Sequence, residues 1–321
     1  MLRIATRRSA LARAQSHQTG LLIRERTGAD FELVPMATTG DLNPDRAVDA
    51  FDVKGMFVDT LRQALLDGEV DLAIHSYKDL PTEGVDGIVV GAVPNREDPR
   101  DVLVSRDGWT LSTLPAIATV GTSSERRRIQ VLRAKPGVQV LPLRGNLDTR
   151  LRKVADGEYD AVVVALAGMK RLYVPAELGG VGAVDLPLQA VPLEPGECLS
   201  APGQGALAIE CRADDDDALA VCKLIDHTPT HRAVLAERAF LNRLGGGCLA
   251  PVGALGSLSR LGGLELIGLL GDPARRTAVR KSGKGPYDEP VQLGTQLAED
   301  VIAAGGADIL ASIAQRRERQ A

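Results

Sequence analysis

The sequence predicts an α/β protein with two lobes around a cleft, followed by a small C-terminal α+β domain. Three observations support this prediction: short apolar runs alternate with amphipathic stretches, two proline-rich segments interrupt that alternation, and the composition is that of a folded chain. The 321 residues are 44% hydrophobic and 25% charged, which excludes an intrinsically disordered chain. At roughly 100–200 residues per domain, the length corresponds to two or three domains.

The first 94 residues carry the pattern of one α/β lobe. Leu2–Ala5 is a short apolar run that predicts a strand, and Ser9 and Gly28 mark the two ends of an amphipathic helix. The same patterns predict strands at Phe31–Met36, Val70–Ile74 and Ile88–Val93, and a helix marked by Phe57, Leu61 and Leu65. Strands separated by helices predict a parallel or mixed sheet with helices on its faces.

A second lobe lies between two segments that interrupt the pattern. Pro94–Arg100 is rich in proline and charge, and Pro192–Gly205 is rich in proline and glycine. Apolar runs between them predict strands at Ile117–Val120, Val138–Leu143 and Ala161–Ala165. The next predicted strand, Ala206–Cys211, is too short to form a domain, so we expect it to return to the first sheet. Two crossings between two α/β lobes form a hinged cleft, which is a favoured place for ligands.

The rest of the chain predicts a small α+β domain. The acidic run Asp214–Asp217 suits the start of a helix, where negative charge interacts favourably with the helix dipole. Beyond it we expect a helix over 230–244, short strands over 252–282 and helices over 291–319. The predicted domains are residues 1–95 together with 200–216, then 99–198, and then 217–321.

Composition and motifs argue against several classes of protein. A net charge of −4 disfavours nucleic-acid binding, no apolar run is long enough to span a membrane, and the N-terminus lacks the apolar core of a secretory signal. The scattered cysteines include no CxxC pair, which favours reduced thiols in a cytoplasmic protein. Pro229 lies between His227 and His231, where we expect it to disrupt a helical zinc-binding face, so no metal site is predicted.

Polar side chains follow two strands of the first lobe. The segment Thr6–Ser9 comes at a helix start, where backbone N–H groups with Arg7 and Ser9 would bind an anion. A capping serine beside a surface arginine is the simpler alternative. Lys78 and Asp79 follow a later strand, and they form either a surface ion pair or a poised carboxylate beside a cation for substrate acid groups.

Three more cationic clusters follow predicted strands of the second lobe. They are Thr122, Ser123 and Ser124 with Arg126 and Arg127; Arg144 with Arg150; and Lys170 with Arg171. Each cluster alone could be a solvated face, and the division of the 38 cations into 30 arginines and 8 lysines could reflect codon bias. Together, in a net acidic protein, the clusters predict a ligand that carries several carboxylates or phosphates.

A glycine-rich segment, Gly245–Gly247, precedes Cys248 in the third domain. Most free cysteines are buried and inert, and that is the common alternative here. A thiol displayed on a glycine loop instead indicates a nucleophile or a covalent attachment point.

In this order, the motifs resemble those of the porphobilinogen deaminase family, also called hydroxymethylbilane synthases. The resemblance is carried by Ile4–Ser9, Lys54–Phe57, His75–Pro81, Asn95–Asp101, Gly121–Arg127, Leu143–Asn146 with Arg150, Gly157–Leu172, Gly203–Arg212 and Gly246–Cys248. It implies two lobes like those of type II periplasmic binding proteins plus a third domain. It also implies a dipyrromethane cofactor, built from two porphobilinogen units and held by a thioether at Cys248.

The resemblance implies an enzyme that condenses four porphobilinogen molecules head to tail onto this primer, with loss of ammonia, and then releases hydroxymethylbilane by hydrolysis. Asp79 matches the family's catalytic aspartate. The implied cofactor-binding residues besides Cys248 are Ser9, Lys78, Thr122, Ser123, Ser124, Arg126, Arg127, Arg144 and Gly145. The implied substrate-binding residues are Arg7, Phe57, Arg150, Arg171 and Gln204. A monomer in the cytoplasm is the family expectation.

Some positions depart from the family pattern, and two other functions stay open at this point. Asp59-Thr60 replace a common Lys-Glu, Glu125 stands where an apolar residue or proline is frequent, and Ala10 replaces a frequent proline. The main alternative is a non-catalytic two-lobe module that binds a polycarboxylate small molecule, although such a module has no use for Cys248. A phosphate-transferring enzyme is disfavoured because the sequence has no GxxxxGK[ST] loop.

Overall fold

The computed structural model describes residues 1–36, 52–173, 185–245, 251–260 and 262–318, with backbone alone for 52–57 and 317. Its strands are β1 (Leu2–Arg7), β2 (Phe31–Met36), β3 (Leu72–Ser76), β4 (Ile88–Ala92), β5 (Asp101–Ser105), β6 (Thr119–Gly121), β7 (Gln139–Leu141), β8 (Ala161–Ala165), β9 (Gln189–Leu193), β10 (Leu207–Arg212), β11 (Val252–Leu258), β12 (Leu264–Asp272) and β13 (Thr277–Gly285). Its α-helices are α1 (Ala10–Thr27), α2 (Asp52–Leu66), α3 (Glu125–Ala134), α4 (Leu147–Ala155), α5 (Leu166–Leu172), α6 (Asp216–Ile225), α7 (Thr228–Arg243), α8 (Pro290–Val301) and α9 (Ala307–Glu318).

The chain separates into two compact units. The first unit contains Met1–Glu97, Ala167–Asp185 and Gly205–His231, and the second contains Asp98–Leu166, Leu186–Gln204 and Arg232–Ala321. The second unit therefore holds both the second lobe and the C-terminal sheet. The division into three domains by the predicted boundaries stays a prediction.

The sheet of the first unit has the strand order β2-β1-β3-β10-β4. Strand β1 pairs in parallel with β2 and β3, whereas β10 lies antiparallel between β3 and β4. The expectation that the strand after the second crossing returns to the first sheet is confirmed. Its residues Leu207–Cys211 are buried, as expected of a strand in the middle of a sheet covered on both faces.

Local signals position helix α1 on this sheet. The hydroxyl of Ser9 accepts a hydrogen bond from the Ala12 N–H at 3.3 Å, and the Gly28 N–H donates to the Arg24 carbonyl at 2.9 Å. Gly28 has φ +72°, a left-handed conformation that glycine adopts without steric cost. Both predicted ends of the helix are confirmed.

The lobe in the second unit repeats the same topology, with the strand order β7-β6-β8-β5-β9. Strand β5 is antiparallel to its neighbours, as β10 is in the first unit. The sequence analysis did not predict β5 and β9. Strand β9 contains Pro192, which is compatible with a strand because β9 is at the edge of its sheet. The predicted α/β class is confirmed, and the structure adds that the two lobes share one strand order.

The second unit also contains the antiparallel sheet β11-β12-β13. Its core forms around Phe240 of α7 and includes Leu266 and Leu297, all at most 1% exposed. Gly268 is needed beneath the Phe240 ring, since a Cβ there would lie 2.5 Å from the ring. The helix predicted over 230–244 is α7, which begins two residues earlier, at Thr228, because proline is tolerated in a first helical turn. His227 therefore precedes the helix that contains His231.

Within the described ranges, none of the helices has the length and apolar character needed to cross a membrane. Cys198, Cys211 and Cys222 are buried free thiols.

Candidate active site

A short turn after β3 positions Lys78 and Asp79 in the first unit. Tyr77 and Leu80 on either side of the pair are buried, at 3% and 1% exposure. The Tyr77 N–H donates to the Ala206 carbonyl at 3.0 Å, and the Leu80 N–H donates to the Tyr77 carbonyl at 3.2 Å. These anchors leave Lys78 half-buried and Asp79 exposed. The Asp79 carboxylate makes no hydrogen bond or ion pair with the described residues, so it is available to a ligand.

Arg7 and Ser9 lie at the same edge of this sheet. Strands β1 and β3 are parallel, with Ile4 opposite Leu72, and their carboxyl ends therefore meet at one edge. Helix α1 is also tied to the end of β3, since Gln15 and Ser76 exchange hydrogen bonds at 3.1 and 3.2 Å. The structure thus brings together the two polar clusters predicted for the first lobe.

Arg171 is buried in the first unit rather than displayed on its surface. Its Nη2 donates to the Gly205 carbonyl at 2.7 Å, and the side chain is 8% exposed. Burial lowers the pKa of Arg171 to about 10, although the negative charge of Glu97 acts to raise it. The neighbouring Lys170 forms an exposed ion pair with Glu97 at 2.9 Å. In this conformation the Arg171 guanidinium binds the protein's own backbone at Gly205. Its substrate-binding role stays a prediction.

In the second unit, the hydroxyl cluster lies at the carboxyl ends of β6 and β7. The Ser123 hydroxyl donates to the Leu143 carbonyl at 2.8 Å and accepts from the Leu143 N–H at 3.0 Å. Ser124 caps α3 by accepting from the Arg127 N–H, and the Thr122 hydroxyl accepts from the Ser124 N–H at 3.1 Å. The three hydroxyls therefore shape the loop that carries the N-terminus of α3.

The segment after β7 continues the same edge. Gly145 has φ +112°, and its carbonyl accepts a hydrogen bond from Arg150 Nε at 2.8 Å. Arg144 is exposed and makes no hydrogen bond or ion pair with the described residues. Ser123 is hydrogen-bonded to Leu143, the residue before Arg144. The predicted clusters at residues 122–127 and 144–150 therefore lie side by side.

Arg126 and Arg127 both pair with Asp101, the first residue of β5. Nη1 of Arg126 lies 2.7 Å from one Asp101 oxygen, and Nε and Nη2 of Arg127 lie 3.1 and 2.8 Å from the other. The two arginines also donate to the Leu199 and Val163 carbonyls, at 2.6 and 2.9 Å. Both residues were predicted to bind an anionic ligand, and the structure shows both side chains buried, at 4% and 6% exposure.

Asp101 is the centre of a wider polar cluster. Its carboxylate is fully buried and also accepts hydrogen bonds from Gln204 Nε2 at 2.9 Å and Cys198 Sγ at 3.3 Å. Burial alone would raise the pKa of Asp101, but the charges and hydrogen bonds of Arg126 and Arg127 outweigh it and hold the pKa well below its ordinary value. Gln204 is fully buried here, and its substrate-binding role stays a prediction.

Asp101 was not predicted as a site residue, although its place at the start of a buried strand is a signal. The run Asp101–Ser105 is apolar apart from its ends, and every residue in it is buried. A carboxylate that opens a buried strand needs a cationic partner, because an unpaired buried charge is very costly.

A second buried ion cluster was also missed, in the first unit. Glu210 accepts from Arg62 Nε and Nη2 at 3.1 and 2.7 Å, and its other contact is His75 Nε2 at 3.2 Å. All three side chains are at most 8% exposed. The signal was Glu210 within the apolar run of β10, which lies in the middle of the sheet.

Two predicted site residues have no described side chain. Cys248 lies outside the described residues. Phe57 is on helix α2, where the structure describes the backbone alone. Within the described part of the chain, no group of three His, Cys, Asp or Glu side chains is placed to hold a metal ion.

Known proteins of a single family match this chain over nearly its whole length. Residues 2–220 match the family model "Porphobilinogen deaminase, dipyromethane cofactor binding domain", and residues 231–303 match "Porphobilinogen deaminase, C-terminal domain". The porphobilinogen deaminase of Brevibacillus brevis is 43% identical over 321 residues, which is 99% of each chain. That of Thermus thermophilus is 42% identical over 311 residues, which is 97% of this chain and 98% of the relative.

The Bordetella pertussis BvgS VFT2 domain is among the solved structures that are similar to this chain, with 16% identity and a TM-score of 0.40, covering 70% of this chain and 85% of that one. The two family models together cover most of the chain, and the two porphobilinogen deaminases align with nearly all of it. On that ground, the chain belongs to the porphobilinogen deaminase family.

Proposed function

We propose that this protein is a hydroxymethylbilane synthase. The reaction joins four porphobilinogen molecules head to tail, releases ammonia at each addition, and ends with hydrolytic release of a linear tetrapyrrole. Family membership supports this proposal, and the observation that carries it is the exposed Asp79 carboxylate on a turn anchored by buried neighbours. The alternative of a non-catalytic binding module is not favoured by the family match.

The described residues fit the chemistry of a dipyrromethane cofactor, whose rings carry acetate and propionate groups. Nε and Nη2 of Arg126 make no hydrogen bond to the described residues, and one hydrogen on each terminal nitrogen of Arg127 is unused. Arg144 is exposed on the same edge, and α3 begins there with backbone N–H groups. Guanidinium forks and a helix N-terminus are the donors that carboxylates prefer.

When bound at Cys248, the cofactor supplies the primer that the first substrate extends. We propose that Arg126, Arg127 and Arg144 hold its carboxylates, with Ser9, Lys78, Gly145 and residues 122–124 as the other contacts. The hydroxyls of residues 122–124 then act mainly by shaping the loop, because the structure shows them bonded within it.

Asp79 carries the chemistry in this proposal. As ammonia leaves the aminomethyl group of porphobilinogen, positive charge develops on the pyrrole nitrogen. A carboxylate that accepts the pyrrole N–H stabilises this charge. The carboxylate can also take the proton from the newly joined carbon and, once protonated, give it to the amine that leaves in the next addition. Because the turn between Tyr77 and Leu80 is fixed before substrate binds, little reorganisation is required.

Arg7, Arg150 and Arg171 are the proposed contacts for the carboxylates of the incoming substrate, with Phe57 and Gln204 beside them. Arg171 and Gln204 are buried in this structure, so their part in the proposal requires a change of conformation. We also propose that the enzyme works as a monomer in the cytoplasm, as the family resemblance implies.

Intact-mass measurement tests this function. Protein purified from cells that make porphobilinogen should carry an excess mass of two linked pyrrole units, and a Cys248→Ala variant should lack it. An unmodified wild-type mass would refute the cofactor assignment. Asp79→Asn should keep the adduct but lose nearly all release of ammonia from porphobilinogen, and full activity in that variant would remove Asp79 from its role.

A further inference from the structure

We propose that Asp101 is a positioning residue: it sets the direction of both the Arg126 and Arg127 guanidinium groups, so that their remaining N–H groups can receive the cofactor's carboxylates. This inference rests on the proposed function. It assigns a task to a residue that the sequence analysis did not single out.

The geometry of the carboxylate is the first argument. One oxygen of Asp101 receives Nη1 of Arg126 at 2.7 Å, and the other receives two nitrogens of Arg127 at 3.1 and 2.8 Å. A guanidinium group that is bound through two of its nitrogens is fixed in its plane as well as in its position. The arginines are neighbours on the first turn of α3, and without a shared anion between them their like charges would repel.

The support around Asp101 is the second argument. Gln204 donates to the carboxylate at 2.9 Å and also holds the Pro99 carbonyl at 2.8 Å, and Cys198 Sγ donates at 3.3 Å. Gln130 brackets Leu199, donating to its carbonyl at 3.1 Å and accepting from its N–H at 2.7 Å. The carboxylate therefore joins β5, α3 and the segment 198–204 in one network.

The unused donors are the third argument. One arginine would be enough to neutralise the buried Asp101 carboxylate. Here two arginines share that single carboxylate. The pair keeps a net positive charge and free N–H groups at the N-terminus of α3. An excess of buried positive charge is costly, and an anionic ligand would compensate it.

The test compares variants that keep or remove the charge of Asp101. Asp101→Glu keeps the charge but moves the carboxylate by one methylene, and Asp101→Asn removes the charge. Glu210→Gln is the matched control, because Glu210 is also a buried carboxylate paired with arginine and no site role is proposed for it. Its expected loss of stability shows what destabilisation without a site role does to the gain of mass. Each protein is made in cells that lack porphobilinogen and then given porphobilinogen, and intact mass is followed over time. Each unit added releases one ammonia.

We expect wild type and Glu210→Gln to gain mass at the same rate, and both Asp101 variants to gain it about 10- to 100-fold more slowly while remaining folded by circular dichroism. In an Arg127→Gln background, Asp101→Glu should cause a much smaller further loss, because Asp101 acts through that arginine. Equal losses in the two backgrounds would overturn the inference.

Wild-type loading by Asp101→Glu would also overturn the positioning role. If neither Asp101 variant folds while Glu210→Gln does, Asp101 serves folding and the inference fails. Wild-type protein that gains no mass would overturn the proposed function and this inference together, which separates that failure from a failure of Asp101 alone.

Discussion

Replacing Glu210 by glutamine should make the protein less stable at neutral pH and remove part of its sensitivity to acid. Burial would raise the pKa of Glu210, but contact with His75 and hydrogen bonds from Arg62 outweigh it and lower the pKa to about 2. In the unfolded chain a glutamate has a pKa of about 4.3. A folded-state pKa below the unfolded one stabilises the protein above pH 4.3, and this stabilisation is lost as the pH falls through 4 toward 2.

The size of this effect follows from the two pKa values. A difference of about 2.3 units corresponds to about 3 kcal/mol of unfolding free energy, of which more than half is lost by pH 3. At pH 7, Glu210→Gln should cost about 3–5 kcal/mol, because it leaves the buried Arg62 without a counter-charge. The difference between wild type and variant should then shrink by about 2 kcal/mol between pH 7 and pH 3.

Urea unfolding followed by far-UV circular dichroism at several pH values between 7 and 3 measures this difference. Glu299→Gln is the control, because its ion pair with Arg243 is exposed and should be worth less than about 1 kcal/mol. A wild-type-to-variant difference that stays constant across this pH range would refute the reasoning. It would show that Glu210 is not preferentially ionised in the folded state.

Three other changes test the site and its supports. Asp79→Asn should lower kcat at least about 100-fold while leaving the urea midpoint unchanged, because the side chain is exposed; a shifted midpoint would indicate a structural role. Ser9→Ala should cost about 1 kcal/mol in urea unfolding through the lost cap, and no change would mean that water replaces the hydroxyl. Gly145→Ala should cost about 1–3 kcal/mol because φ is +112°, with Gly196→Ala, whose Cβ would meet open space, as the control.

Much of the fold could be predicted because its signals are local. Ser9 and Gly28 end α1 through hydrogen bonds within four residues of each cap, so a short window of sequence contains both partners. Strand β8 matches its predicted bounds because Ala161–Ala165 is an uninterrupted apolar run, and β2 also matches, although it contains a proline. Strand β9 was missed because its last residues, from Pro192, begin the proline- and glycine-rich segment that was interpreted as a crossing between lobes.

The site was predicted less completely, because sequence motifs identify residue types and not their partners. The Lys78–Asp79 turn and the loop at residues 122–124 were both expected, and the structure adds the neighbours that hold them. Arg126 was predicted as a ligand-binding cation, but its partners in the chain were not predicted: Asp101 is 25 residues away and Leu199 is 73 away. No periodicity or spacing connects positions that far apart.

The amino-acid sequence by itself determined the α/β class of the protein and predicted an anionic ligand, since alternating patterns specify strands and helices and clustered arginines favour carboxylates or phosphates. Tertiary structure decided how each cation is held. Arg126 and Arg127 are buried and share the Asp101 carboxylate, whereas Arg144 is exposed without a partner among the described residues. The reason is physical: a guanidinium group binds whichever anion the fold brings within 3 Å of it, and only strand pairing placed Asp101 there.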